Sequence, residues 1–447
     1  MLGKQRNRRG GKCWNRALDG LKVAALLLPL TLAACDDLLD VNMPGNVTEA
    51  DLDASVANTL MLSTQGNVEY AWSQYTYFAS HHSDEWNQQS GNRQRKQMGL
   101  RLIDPGFQYL IDRLWSPLHV SLQEADEFAS LIAGFDAGDV PQKNELIAKI
   151  KAYGAWPVIA LAEGFCGSPI GGSDEIFGAA ALFTKAEARF TAAMTLASAA
   201  GLTDFENMAR VGRARARLGL GNFSGAIADA EMVPVDFAFM VTRDTEPSRR
   251  RNKIHDDLNG ELTVDKIGSL PGNYWDLKWK DVPDLRIVVE HTGEFSYDFV
   301  TEHHRLANKH TEYSTDMILA TWREAQMIIA DASAQSGDLV KAIEILNAFH
   351  TRASIPDVTD VDLPTQADVI THVIQERSRE FFADGGYRLF DHNRWRGTAH
   401  EIPFLGEAGS FYPIGIDHHG ERFGDTTCLP VPRNETTPTG GLTTRIP

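Results

Sequence analysis

The sequence lacks long apolar runs and the common catalytic motifs. After residue 34 no segment holds the roughly 18 consecutive apolar residues that a membrane-spanning helix requires. The sequence also lacks a GxSxG elbow, a Walker loop, an HExxH pair and a GxGxxG turn with its acidic partner. These absences exclude a downstream membrane span and lower the expectation of an enzyme. A glycosidase stays open, because two carboxylates leave almost no local motif.

Positive charge is also in short supply, with 43 basic residues against 60 acidic ones. Residues 1–34 hold seven basic residues and one acidic residue, so their removal would take the formal net charge from -17 to -23. So acidic a body repels phosphate backbones, and nucleic acid is not an expected partner. The 43% apolar residues are enough to bury a large core.

The amino terminus has the pattern of a secretion signal. Seven basic residues within 1–22 precede the apolar stretch 23–32. At the end of this stretch, Leu32-Ala33-Ala34-Cys35 resembles a bacterial lipobox. We predict a lipoprotein signal peptide over 1–34, acylation of Cys35 with palmitate-type chains, and a tether over 35–48. Several acyl chains would hold the protein firmly in a membrane. Asp36 and Asp37, directly after this cysteine, resemble the surface-export signal of some outer-membrane lipoproteins, although in other bacteria Asp at that position retains the protein in the inner membrane. The alternative is a signal-anchor helix with a chance cysteine.

Two cysteines remain for the body of the protein. Cys13 leaves with the predicted signal peptide and Cys35 is acylated, which leaves Cys166 and Cys428. In an oxidising compartment these two could form a disulfide, or they could be separate buried thiols. The sequence does not give the Cα separation that would decide between the two.

Apolar residues at spacings of three and four predict helices over 49–75, 117–133, 144–165 and 179–200. A seven-residue motif then occurs twice, at 221–227 and 337–343, and each copy resembles the turn of a tetratricopeptide repeat. Gly221 and Gly337 permit a tight turn, and Asn222 and Asp338 can cap the following helix. The copies are too far apart for a continuous array, so helical hairpins separated by insertions are expected.

We therefore predict a mainly α fold of tetratricopeptide-like hairpins with loop-rich insertions. Its parts are an amino-terminal helical-repeat part (49–234), a loop-rich inserted region (235–315), a carboxy-terminal helical-repeat part (316–396) and an irregular segment (397–447). Within the insertion, the stretch 287–289 is strand-like.

The carboxy-terminal motifs resemble those of the SusD/RagB family. The matching residues are Glu376-Arg377-Ser378-Arg379-Glu380, Gly385 to Asp391, Arg394-Trp395, and Leu429-Pro430-Val431-Pro432 with Glu435. This resemblance implies an outer-membrane lipoprotein that binds a glycan or other nutrient beside a TonB-dependent SusC-like channel. It implies no catalysis and no cofactor. The chain departs from the family at Asp126, where the family usually has Asn, and in its short length.

Two sets of titratable residues are interpreted as structural. Glu376 and Glu380 lie one helical turn apart, but neighbouring arginines favour a buried ion-pair network over acid-base chemistry. Three pairs of adjacent histidines, at 81–82, 303–304 and 418–419, should point apart on a helix or a strand. We therefore predict no metal site, although a partial Ca²⁺ site from loop carboxylates stays open in the absence of an EF-hand loop.

Aromatic residues next to polar ones mark the candidate ligand contacts, since sugar C–H faces stack on aromatic rings while hydroxyls bond to amides and carboxylates. The candidates are Trp86, Asn87, Asp84 and Tyr77 after the first helix, and Tyr274, Trp275 and Trp279 in the insertion. The alternative is that these rings fill the core. Two rival functions are a surface glycoside hydrolase using Asp84 or Glu85, and a helical scaffold for envelope assembly.

Overall fold

Helices dominate the computed structural model, which describes residues 53–436. The first group comprises α1 (Ala57–His82), α2 (Arg93–Gly99), α3 (Gln108–Leu110), α4 (Ser116–Gly134), α5 (Lys143–Gly154), α6 (Trp156–Gly164), α7 (Ala179–Ala199), α8 (Thr203–Gly219) and α9 (Phe223–Ala230). A π-helical turn, Ile111–Trp115, joins α3 to α4. The second group comprises α10 (Trp322–Ser336), α11 (Leu339–Ala353), α12 (Gln366–Glu380), α13 (Tyr387–Arg394) and α14 (Arg433–Thr436). The predicted mainly α class is confirmed.

Two of the four helix predictions are confirmed closely, by α4 and α7. The helix predicted over 144–165 is wrong as a single unit, because the chain breaks between α5 and α6 and Pro157 lies in the first turn of α6. Proline lacks the N–H that an unbroken helix would need there. Helix α1 runs past its predicted end to His82, since Tyr77 and Phe78 are buried and no polar face marks the end of the helix.

The two predicted repeat turns are confirmed. The Asn222 side chain accepts a hydrogen bond from Gly225 N–H at 3.1 Å, and Asp338 accepts one from Lys341 N–H at 3.1 Å. Gly337 has a φ of 89°, in the left-handed region that glycine adopts without strain. Both turns therefore end one helix and cap the next, as in a helical hairpin.

Short antiparallel pairs of strands are formed by the inserted region and by two segments outside it, β1 and β8. The strands are β1 (Asn87–Gln88), β2 (Ala238–Val241), β3 (Gly268–Ser269), β4 (Lys278–Trp279), β5 (Val282–Pro283), β6 (Val289–Phe295), β7 (Glu302–Leu306) and β8 (Met317–Thr321). They pair as β1 with β3, β2 with β8, β4 with β5, and β6 with β7. The strand-like stretch predicted at 287–289 thus overlaps the start of β6. The pairing of β1 with β3 connects the segment after α1 to the insertion.

The two helical parts share one apolar core. Helix α10 packs against α8 and α9 from the first part and against α11 and α12 from the second. Buried residues from both parts belong to the same hydrophobic cluster. The part boundaries given by the sequence remain a prediction.

Buried ion pairs brace the carboxy-terminal part, as predicted for Glu376. This side chain is fully buried, and the Arg286 guanidinium lies 2.6 Å from its Oε2. Burial alone would raise the pKa of Glu376, but hydrogen bonds from His350 and Arg286 hold it well below its ordinary value. Glu380 pairs with Arg323. The interpretation of both glutamates as a structural network is confirmed.

Cys166 and Cys428 form a disulfide, with their Cα atoms 5.1 Å apart. The bond joins the chain just after α6 to the irregular carboxy-terminal segment. Next to it, Leu429 N–H donates to Gly164 O at 2.8 Å and Cys166 N–H donates to Leu429 O at 3.0 Å. The alternative left open by the sequence, two separate thiols, is therefore not what the structure contains.

Among residues 53–436, no helix combines the length and the apolar character needed to cross a bilayer. The predicted signal peptide, Cys35 and the tether lie outside the described residues. Acylation therefore stays a prediction.

Candidate functional site

The aromatic run at the end of α1 is part of the core. Trp86 is fully buried and its ring lies 6.3 Å from the Phe382 ring, and Tyr77 is also fully buried. Asn87 is 7% exposed because β1 pairs with β3 above it. A ring without an exposed face cannot stack on a ligand. The structure therefore corrects the prediction that Trp86, Asn87 and Tyr77 contact ligand.

The carboxylates beside that run are also inaccessible. Both guanidinium contacts from Arg388 to Asp84 measure 2.6 Å, and His392 Nε2 lies 3.1 Å from Asp84. Burial opposes ionisation, yet Arg388 holds the pKa of Asp84 well below its usual range. Asp84 is thus a buried ion-pair partner, which corrects its assignment as a ligand contact.

Glu85 is 1% exposed and accepts a hydrogen bond from Ala383 N–H at 2.9 Å. Burial raises the pKa of Glu85 to about 8. A raised pKa suits a general acid, but a sugar cannot reach a carboxyl group packed inside the core. The geometry therefore gives no support to the rival hydrolase that would use Asp84 or Glu85.

The three aromatic candidates of the insertion have different environments. Tyr274 is buried, with its ring 4.6 Å from Phe382, so a stacking role for it is also corrected. Trp279 is half-buried and contacts the ring of His372 at 4.8 Å, next to the ion-pair network. Trp275 is half-buried and its Nε1–H donates to Leu270 O at 3.0 Å. Trp275 and Trp279 remain proposed ligand contacts.

Trp275 stands at one end of a row of accessible rings, which we name the ring arc. The ring arc consists of Trp275, His291, His304, Phe411, Tyr412, His418 and His419, and none of the seven is buried. The Trp275 ring centroid lies 4.9 Å from His291 and 4.3 Å from His304. At the other end, Tyr412 lies 4.9 Å from Phe411 and 6.1 Å from His418. The arc thus offers several ring faces in sequence to an extended ligand.

Gly272 lets the two halves of the ring arc approach each other. A Cβ added there would lie 3.0 Å from Phe411 Cε2 and 3.9 Å from Trp275 Cδ2. The first distance is tighter than ordinary van der Waals contact, so the ring of Phe411 occupies the space that a larger residue would fill. Gly272 therefore brings the insertion and the irregular carboxy-terminal segment into one surface.

Polar groups border the ring arc. Tyr412 Oη lies 2.9 Å from His418 Nδ1, whose Nε2 lies 3.0 Å from Gln89 Oε1. His419 Nε2 lies 2.8 Å from Asp298 Oδ2. Burial opposes ionisation of Asp298, but a neighbouring imidazole and the N–H groups of the following residues hold its pKa below the usual range. Gln89 and Asp298 are nearly buried and orient the two histidines, and the Tyr412 hydroxyl can accept hydrogen bonds from ligand hydroxyls beside the rings.

His418 and His419 do not point apart as predicted. They lie in a turn, not on a helix or a strand, and their ring centroids are 3.9 Å apart. The prediction that adjacent histidines point apart is therefore wrong for this pair. The sequence did contain a signal for this half of the arc, since Phe411-Tyr412 and His418-His419 stand close together in a segment without helical pattern.

A cleft of about 480 Å³ lies elsewhere, between α1, the π-helical turn and residues 248–256. Its basic side chains are Arg113, Arg249, Arg251 and Lys253. Lys253 pairs with Asp256 at 2.8 Å, and the Arg249 guanidinium lies 4.6 Å from the Tyr70 ring. No member of the ring arc lines this cleft. The cleft is lined mainly by polar and charged side chains, whereas the ring arc is aromatic, so the arc is the better site for sugar faces.

Comparison with known proteins identifies relatives by family and by fold. Residues 313–441 match the model of the SusD family. A SusD superfamily protein from Bacteroides vulgatus superposes with a TM-score of 0.65 at 13% identity, covering 86% of this chain and 96% of that one. No curated protein matches the chain by sequence.

Two further solved structures share the fold. A laminarin-binding SusD-like protein gives a TM-score of 0.61 at 16% identity, over 85% of this chain and 97% of its own. A SusD-like carbohydrate-binding protein from Bacteroides vulgatus gives 0.61 at 12% identity, over 79% and 86%. These superpositions establish a common fold.

Proposed function

We propose that this chain is a SusD/RagB-family protein that binds a glycan on the ring arc and passes it to a SusC-like TonB-dependent channel. The observation that carries the proposal is the half-buried Trp275, which stands beside further accessible rings on a fold shared with a laminarin-binding and a carbohydrate-binding protein.

The ring arc suits a chain of sugars because it repeats one kind of contact. Each exposed ring can stack on the apolar face of a sugar, and the Tyr412 hydroxyl and the exposed His418 imidazole supply polar groups beside the rings. An open row of weak contacts binds a long ligand at several points and raises its local concentration. Release of the ligand to a neighbouring channel then requires no covalent bond to be broken.

The lipid anchor and the partner complete the proposal. Leu32-Ala33-Ala34-Cys35 would place an acylated cysteine at the start of the mature chain. The family resemblance implies the SusC-like partner channel and the location at the cell surface. The acidic body makes a neutral ligand a better fit than an anionic one.

We further propose that the protein performs no catalysis. Its two candidate hydrolytic carboxylates, Asp84 and Glu85, are both buried. Incubation with oligosaccharides should therefore release no products. A scaffold role in envelope assembly is separated from transport by co-purification: a TonB-dependent channel should accompany the protein, and assembly proteins should not.

Affinity electrophoresis and calorimetry against a panel of neutral glycans, laminarin included, test the binding site. Trp275→Ala should abolish the retardation seen with the wild type. Trp322→Ala is the matched control, because Trp322 is also half-buried but lies on α10 outside the ring arc. Unchanged binding by Trp275→Ala, or equal loss in both variants, would contradict the assignment.

A further inference from the structure

The β6–β7 hairpin presents three metal-ligating side chains on one face. His291 on β6 and His304 on β7 are directly opposed cross-strand partners. Glu302 stands two residues before His304, and alternate residues of a strand share a face. One donor atom from each side chain lies within 4.8 Å of the others. Strand register thus gathers two imidazoles and a carboxylate that are dispersed in the sequence.

The imidazole nitrogens of this cluster are not engaged by protein groups of the described residues. Within residues 53–436, neither imidazole has a hydrogen-bond partner, and His304 Nδ1 is buried without one. Glu302 Oε1 accepts a hydrogen bond from Gly293 N–H at 3.1 Å, and no Lys or Arg of the described residues pairs with this carboxylate. The backbone bond orients the carboxylate, as outer partners do for metal ligands. An uncompensated buried polar atom normally needs a partner, and here none is supplied by the protein.

Two other clusters of similar composition have their donors engaged. In the cluster of Asp298, His418 and His419, His419 Nε2 already lies 2.8 Å from Asp298 and His418 Nε2 lies 3.0 Å from Gln89. These contacts satisfy the ring nitrogens with protein atoms. A metal would have to break them.

The third cluster consists of His350, His372 and Glu376 and is buried. Arg286 and Arg379 both contact the Glu376 carboxylate, at 2.6 Å and 3.2 Å. Two fixed cations beside the only anionic donor repel a further cation. Of the three clusters found in residues 53–436, the hairpin cluster is therefore the one whose imidazoles are available and whose carboxylate has no Lys or Arg partner.

We propose that His291, Glu302 and His304 bind a divalent transition metal ion of the Zn²⁺ type. Two imidazoles and one carboxylate favour such ions over Ca²⁺ and Mg²⁺, which prefer oxygen ligands. Three protein ligands leave a position open for water or another oxygen donor. The Trp275 ring, 4.9 Å and 4.3 Å from the two imidazole rings, forms an apolar wall beside the ion. The proposal does not depend on glycan binding.

Titration of the purified full chain, stripped of metal and kept in detergent, tests the site. Calorimetry with Zn²⁺ and the visible absorption of bound Co²⁺ should report one ion per chain. His291→Ala and His304→Ala should each weaken binding by at least the roughly tenfold that loss of an outer partner costs. His418→Ala and His400→Ala are the controls, the first in a competing cluster and the second at a partly exposed histidine elsewhere, and both should bind as the wild type does.

Absence of Zn²⁺ binding by the wild type would overturn the proposal. So would undiminished binding by the double variant His291→Ala/His304→Ala, or loss of binding in His418→Ala alone. Thermal melts establish that each variant is folded. If His304→Ala does not fold because its ring is partly buried, His291→Ala carries the test, since His291 is exposed.

Discussion

The aromatic run at the end of α1 and the aromatic segment of the insertion are alike in composition and opposite in environment. Trp86 is fully buried against Phe382, whereas Trp275 is half-buried and faces two accessible imidazoles. Both tryptophans lie next to polar residues in the sequence. Local composition therefore marks where aromatic residues concentrate but does not tell which of them reach solvent.

Long-range pairing decides the difference. Asn87 and Gln88 form β1 with Gly268 and Ser269 of β3, which come from a distant part of the chain. The Trp86 ring packs against Phe382, which follows α12. Trp275 lies within the insertion and is half-buried, and Phe411 approaches it across Gly272. Contacts with distant segments thus bury one aromatic region and leave the other partly exposed.

Replacement of Trp86 by Ala should have the largest effect on stability. Removing a fully buried tryptophan leaves a cavity and costs about 3–5 kcal/mol. Urea unfolding should show this loss, while glycan binding by the remaining folded molecules should be unchanged. A stable Trp86→Ala protein that no longer binds glycan would reverse the roles assigned to the two regions.

Asp84→Asn should also destabilise the buried region strongly. The change leaves the Arg388 guanidinium, 11% exposed, without its charged partner. Breaking a buried pair on one side costs about 3–5 kcal/mol. Chemical unfolding at neutral pH measures the loss. A change near zero would mean that water reaches Arg388 and that this region is more open than the structure shows.

Glu85→Gln tests the burial of this region through the pH dependence of the free energy of unfolding. The pKa of Glu85 is raised to about 8 from 4.5, so the folded chain holds a proton that the unfolded chain has lost between these values. The contribution of Glu85 to stability therefore falls as pH rises through that window. The free energy of unfolding of the Gln variant, relative to the wild type, should increase from about pH 4 to about pH 9. A pH-independent difference would place Glu85 in contact with solvent.

Gly272→Ala should have the smallest effect on stability and a selective effect on binding. The added Cβ displaces Phe411, a 41% exposed ring that can move at low cost. We expect a loss below the roughly 1–3 kcal/mol of an overpacked core, with weaker glycan binding. Gly178→Ala is the control, since nothing lies within 4 Å of its added Cβ. Equal binding by both variants would remove Phe411 from the site.

Much of the helical frame follows from the sequence. Residue spacing located α4 and α7, and the glycine with its capping residue located both repeat turns, because these signals act within a few residues. The break at Pro157 could have been placed by the same local rule. The carboxy-terminal motifs indicated the ion-pair network of Glu376.

The candidate site was predictable only in part. Trp275 was among the predicted contacts, but Phe411 and His291 join it through contacts between distant segments, which residue spacing does not encode. The same limit applies to the Cys166–Cys428 disulfide, which the sequence allowed but could not establish. Of the predicted contacts after α1, burial by segments distant in the chain removes Trp86 and Asn87.

Oxidative footprinting read residue by residue, with and without a bound neutral glycan, tests the central claim most directly. Without ligand, Trp275 and Phe411 should be modified rapidly and Trp86 hardly at all, and bound glycan should protect Trp275 and Phe411. Modification of Trp86 at the rate of Trp275, or bound glycan that leaves Trp275 unprotected, would contradict the account.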